Sequence, residues 1–266
     1  MSAARRGKGA KSAGKAGVER AAEAAAGRDD GGADDVGLEL PRVTKARRER
    51  ALKVLAALEE HYPDAHCELV YRSPHELLIA TILSAQATDV SVNKATPALF
   101  EAFPTPAAYA SATPEQIEPY IRTIGLYRNK AKSIVAAMRD VVERFGGEVP
   151  RTMDELLTLR GVARKTAGVV LGNAFGINVG FVVDTHVHRL AQRLGLVSKG
   201  ATVAQTEKVL MALLPREKWC SAGHQIIFHG RRACKARPAG GVCAEHPICS
   251  HFGTACELRI SGGRRG

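Results

Sequence analysis

With 266 residues, 45% hydrophobic and 24% charged, the chain is long enough for one large core or two small ones, so its stability needs no disulfide staples. The formal net charge is +11, yet residues 1–40 hold seven Lys and Arg against seven Asp and Glu, so the whole excess sits on residues 41–266 and favours a polyanion, either nucleic acid or an anionic membrane surface. No stretch reaches the roughly 18–20 apolar residues of a membrane span and the N-terminus has no apolar signal core, which excludes both classes and predicts a cytoplasmic protein whose six cysteines are thiols or metal ligands.

Residues 1–42 are rich in Ala, Gly, Lys and Asp with almost no large apolar groups, which predicts a disordered tail, basic over its first 28 residues. From residue 45 nearly every segment reads as helix. The quartets Ser73-Pro-His-Glu76, Thr113-Pro-Glu-Gln116 and Thr152-Met-Asp-Glu155 have capping-box spacing, two of them with Pro at the first helical position, and predict three helix starts. Apolar residues follow at helical intervals: Leu77, Leu78 and Ile82; Ile117, Tyr120 and Ile121; Leu156, Leu157 and Leu159. A further helix is predicted from about Asn129 to Phe145, stopped by Gly146 and Gly147. Gly180–Asp184, "GFVVD", is the single strand-like piece and too short to build a sheet, so the predicted fold class is all-α.

The stretch "LRGVARKTAGVVLGNAF" (159–175) places a glycine turn between two predicted helices, with Arg164 and Lys165 at the start of the second. A helix-hairpin-helix of this kind offers backbone N–H groups and the positive end of a helix to a phosphate. By itself such a turn is weak testimony, and Lys165 reads as a solvated lysine early in a helix. Asp184 precedes the helix "THVHRLAQRLGL" and reads as its N-cap. Four cysteines, Cys234, Cys243, Cys249 and Cys256, crowd the last 33 residues; four thiolates suit a [4Fe–4S] cluster and would also suit zinc, although neither zinc-ribbon nor ferredoxin Cys-x2-Cys spacing is present. Cys67 and Cys220 stand apart and are expected to be buried thiols.

Five motifs in order, "LLIATILSAQATDVSVNKATPALF" (77–100), "IGLYRNKAKSI" (124–134), "LRGVARKTAGVVLGNAFG" (159–176), "VVDTHVHRLAQRLGL" (182–196) and "HGRRAC" (229–234), closely resemble bacterial endonuclease III over about residues 45–256. That family consists of base-excision repair DNA glycosylases with lyase activity. The resemblance implies two helical domains flanking a DNA cleft: a six-helix domain at 67–177 carrying the hairpin, and an iron–sulfur domain built from 43–66 and 178–258, with 259–266 a flexible end. It also implies a monomer acting on double-stranded DNA that contains damaged bases or abasic sites.

By the same matching, Lys165 is the nucleophile and Asp184 its acidic partner. Adenine-specific relatives, similar in this hairpin, carry a hydroxyl residue at the lysine position, so lysine favours the bifunctional class. Gln86 and Leu126 match the wedge residues that fill the stack when a base is flipped out. Arg160, Gly161, Ala163, Arg164, His186 and Arg231 are the further expected DNA contacts, and Ser84 and Asp89 flank the wedge as candidate pocket residues. The expected substrates are oxidised or ring-saturated pyrimidines; mismatched thymine or pyrimidine dimers on the same fold, and a non-catalytic DNA-binding relative, are the alternatives.

The sequence departs from the family pattern in two places. The usual Leu-Pro-Gly-Val-Gly hairpin has Arg160 for Pro and Ala163 for the second Gly. If that second glycine takes positive φ, alanine would cost about 1 kcal/mol there. The cysteines are spaced x8, x5 and x6, where the family usually has x6, x2 and x5.

Overall fold

All three Ser/Thr quartets start helices, and the hydrogen bonds explain why. Ser73 and Thr152 each accept the backbone N–H three residues on, from Glu76 and Glu155, and Gln116 reaches back to the N–H of Thr113 at 2.8 Å. The Glu76 carboxylate instead accepts from the N–H of Arg72 at 2.6 Å, one residue before the cap, and binds the Arg72 guanidinium at 2.8 Å. That bidentate pairing is what lets a carboxylate sit in the core.

The computed structural model describes residues 39–236 and 246–253. Its helices are α1 (Lys45–His61), α2 (Pro74–Ser84), α3 (Asp89–Ala102), α4 (Pro106–Ser111), α5 (Pro114–Ile121), α6 (Tyr127–Phe145), α7 (Met153–Leu157), α8 (Arg164–Ala174), α9 (Thr185–Arg193), α10 (Val203–Leu213), α11 (Trp219–Arg232) and α12 (Pro247–Phe252), with a 3₁₀ turn at Arg216–Lys218. No strand occurs among the described residues; Phe181–Asp184 is irregular. Two units result: Glu68–Ile177, and the described residues up to Cys67 together with those from Asn178 onward.

In the first unit α2 is buried on every side from Glu76 to Leu83, as its largely apolar sequence demands, with the Thr81 hydroxyl donating to Leu77 O at 2.7 Å. Leu99, Tyr109, Ile117, Ile134, Met138, Leu156 and Leu171 complete this core. Helix α6 begins two residues earlier than the periodicity suggests, because Leu126 adopts a left-handed conformation (φ 60°, ψ 26°) as its N-cap. It ends where expected, with Gly146 and Gly147 at positive φ and the Gly147 N–H bonded to the Val141 carbonyl at 2.9 Å.

In the second unit α1 supplies Val54, Leu55 and Leu58 to a core with Val187, Leu190, Leu210, Trp219, Ile226, Ile248 and Phe252. Arginines on α1 fasten distant turns to it: Arg47 donates to Leu196 O, and Arg50 to both Leu194 O and Phe252 O. No helix of the described residues is long and apolar enough to cross a membrane.

Candidate functional site

The hairpin is built by a short α7, a turn closed by the Val162 N–H on Leu159 O at 3.1 Å, and α8. Gly161 has φ +84°, and a Cβ there would lie 2.8 Å from Ser133 Cβ, so both conformation and space require glycine. Ala163 is different. It caps α8 at φ −98°, ψ 167°, in the ordinary extended region, so the strain anticipated for alanine does not arise. Its methyl also provides no side-chain acceptor for the first N–H groups of α8. Arg160 and Lys165 are exposed, Lys165 as the second residue of α8, and Arg164 is half-buried.

Gln86 and Leu126 are the two non-glycine residues with positive φ among the described residues, at 56° and 60°. Leu126 is 61% exposed, which rules out a core role, and Gln86 is exposed as well. A left-handed conformation costs about 1–2 kcal/mol for a residue of this kind and marks positions that the surrounding structure holds in place. Ser84 and Asp89 flank Gln86: the Ser84 hydroxyl donates to Thr81 O at 2.9 Å, and Asp89 opens α3 behind its N-cap Thr88.

Asp184 is the N-cap of α9, its Oδ1 accepting the Val187 N–H at 2.8 Å. The cap fixes the carboxylate at the positive end of a helix. His224 of α11 lies near enough to feel its charge: burial chiefly, and then His66, push His224 down to about 4, while Asp184 opposes them. His186 packs against the backbone of Gly230, where a Cβ would meet its Nδ1 at 2.8 Å, and its Nδ1 is 3.3 Å from the Arg189 guanidinium. Arg231 is half-buried in the last turn of α11.

Cys234 and Cys249 are buried and share a site with His229; their ligand atoms all lie within 4.8 Å of one another. Cys243 and Cys256 lie outside the described residues. Helix α9, which begins at the Asp184 cap, also holds the Cys234 loop: Arg193 donates to Cys234 Sγ at 3.1 Å and to Lys235 O, and Arg189 to Cys234 O at 2.8 Å.

His229 is fully buried; burial, aided by His246, His61 and Arg189, pushes it down to about 3, so the ring is neutral. Its Nδ1 is 3.0 Å from the Tyr62 hydroxyl and its Nε2 3.2 Å from Cys249 Sγ. The ring thus bridges the Tyr62 hydroxyl and the Cys249 sulfur. Two cysteine sulfurs with cationic and N–H donors around them fit a thiolate-ligated metal centre. Cys220 lies outside this group, and burial pushes its thiol up to about 11.

The sequence reasoning missed Lys130, His224 and His229. A signal existed for the first: Lys130 lies on the apolar stripe of α6, four residues before Ile134 and eight before Met138.

A family model for HhH-GPD superfamily base excision DNA repair proteins matches residues 79–216. The chain is 50% identical over 211 residues to endonuclease III of Synechocystis sp., covering 79% of this chain and 96% of that protein. Against endonuclease III of Escherichia coli K12 it is 44% identical over 210 residues, 79% of this chain and 97% of the relative. Among solved structures, a trapped endonuclease III–DNA covalent intermediate, an estranged-adenine complex, superposes with TM-score 0.74 at 43% identity, over 82% of this chain and all of that one.

Proposed function

We propose, of a chain that belongs to the endonuclease III family within the HhH-GPD superfamily of base excision DNA repair proteins, that it is a bifunctional DNA glycosylase and abasic-site lyase. Its partner is double-stranded DNA containing damaged bases or abasic sites, a reading supported by a relative trapped as a covalent intermediate with DNA. Its preferred substrates are oxidised or ring-saturated pyrimidines, which stack poorly and so cost less to flip. The observation that carries this is Lys165, exposed at the second position of the helix behind a glycine turn.

The chemistry follows from an amine in that position. Lys165 Nζ attacks C1′ of the damaged nucleoside; the glycosidic bond breaks, and the base leaves with the bonding pair and takes up a proton. The aminal left at C1′ then opens, the C1′–O4′ bond breaking and O4′ taking up a proton, and the Schiff base so formed draws electrons from C2′. Loss of the C2′ proton then expels the 3′ phosphate by β-elimination. Asp184, its carboxylate held by the helix cap, accepts the lysine proton or stabilises the cationic sugar. Gln86 faces the orphaned base and Leu126 holds the stack open, while Arg160, the amides at Gly161 and Ala163, Arg164, His186 and Arg231 meet the DNA. Ser84 and Asp89 border the damaged base.

Residues 67–177 form the hairpin domain, and 43–66 with 178–258 the iron–sulfur domain. Cys234 and Cys249, with Cys243 and Cys256, would hold a [4Fe–4S] cluster, which when bound would supply structural support rather than chemistry at the sugar. Arg231 and Lys235 are further backbone contacts for the DNA.

The test is a single-turnover reaction on a duplex carrying one thymine glycol, with and without borohydride. Strand cleavage with a trapped protein–DNA adduct is expected, both lost in Lys165→Ala. Intact DNA binding with neither cleavage nor adduct, on this duplex or on a plain abasic site, would make the protein a non-catalytic binder.

A further inference from the structure

Lys130 is a buried cation, 6% exposed, to which the lesion chemistry above gives no task. Its Nζ donates to Leu83 O at 2.9 Å and to Ala85 O at 2.7 Å, both at the C-terminal end of α2. Those carbonyls have no partner within the helix, and a cation there also meets the negative helix end. Its backbone N–H donates to Leu126 O at 3.0 Å. The side chain thus grips the peptide unit immediately before Gln86, while its own backbone N–H makes the first hydrogen bond of α6 to Leu126 O; Gln86 and Leu126 are the two side-chain-bearing residues held left-handed among the described residues. Burial pushes its ammonium below the usual lysine range, so a methionine of similar length would fill the same space without that penalty. The lysine bears that desolvation cost where its donors hold the backbone before a left-handed residue.

We propose that Lys130 is a positioning residue for base extrusion: its ammonium ties the backbone before Gln86 to the first turn of α6, whose N-cap is Leu126, so that both side chains enter the duplex as one preformed wedge. This rests on the assignment of Gln86 and Leu126 as the wedge. An unlocked wedge must be ordered at the moment of insertion, which slows extrusion and leaves the sugar chemistry untouched.

The experiment compares the full-length parent with Lys130→Met on two duplexes, thymine glycol opposite adenine and thymine glycol opposite an abasic gap, where no orphaned base needs to be held. Extrusion is followed by stopped-flow fluorescence of a 2-aminopurine beside the lesion. Lys130→Met is expected to excise from the fully paired duplex at least about tenfold more slowly, with a delayed fluorescence rise, and to match the parent within about threefold on the gapped one. Equal slowing on both duplexes, or none on either, overturns the inference. Should Lys130→Met not fold, Lys130→Gln carries the same contrast, keeping an N–H donor on a shorter stem. A parent that excises from neither duplex overturns the glycosylase assignment itself, whereas an active parent with an unselective variant overturns only the role of Lys130.

Discussion

Gly161 and Ala163 stand two residues apart in one turn and answer to different constraints. Gly161 has positive φ and Ser133 against its α-carbon; Ala163 has ordinary backbone and is exposed. Both were legible as hairpin residues, but φ depends on the path of the turn, which residue types alone do not specify. Asp184 shows two roles that mutation can separate. Asn caps a helix about as well as Asp but carries no charge. Asp184→Asn is therefore expected to keep its urea midpoint within about 0.5 kcal/mol of the parent while losing most base excision. Asp184→Ala is expected to lose about 1 kcal/mol of stability as well. If Asp184→Asn excised at the parental rate, capping would be the whole of its function.

Helix α11 carries buried His224, held near 4 chiefly by burial and by His66, against the favourable charge of Asp184. An unfolded histidine titrates near 6.5, so the unfolded chain takes up a proton that the folded chain refuses. The associated stability is fully present above pH 6.5, declines as pH falls from 6.5 toward 4, and is gone below that. Its size is roughly 3 kcal/mol. Urea midpoints measured across that window should fall with decreasing pH, and His224→Gln should flatten the fall; a parallel decline in the variant would assign the effect to other groups. Helix starts were readable because a cap and its N–H lie three residues apart. The start of α6 was not, because Leu126 caps it with a left-handed backbone and makes no side-chain cap bond.

The net charge of +11, with a neutral first 40 residues, puts the positive field on residues 41–266. DNA affinity should accordingly be steeply salt dependent. Neutralising about three to five phosphates predicts a loss of roughly 30- to 500-fold for undamaged duplex between 50 and 200 mM salt, measured by fluorescence anisotropy. A flat salt response would remove the electrostatic basis for recognition. The sequence by itself determined the helical fold class, several helix starts, the hairpin and the family, because caps, apolar periodicity and ordered motifs are properties of neighbouring residues. Tertiary structure alone decided that Lys130 reaches carbonyls 45 and 47 residues away. It also decided that His229 and Cys249 meet across 20 residues, with Tyr62 behind the ring from 167 residues away. Such contacts exist only once the chain has packed, since a buried donor takes whatever acceptor the fold brings to it, and nothing in its local sequence says which.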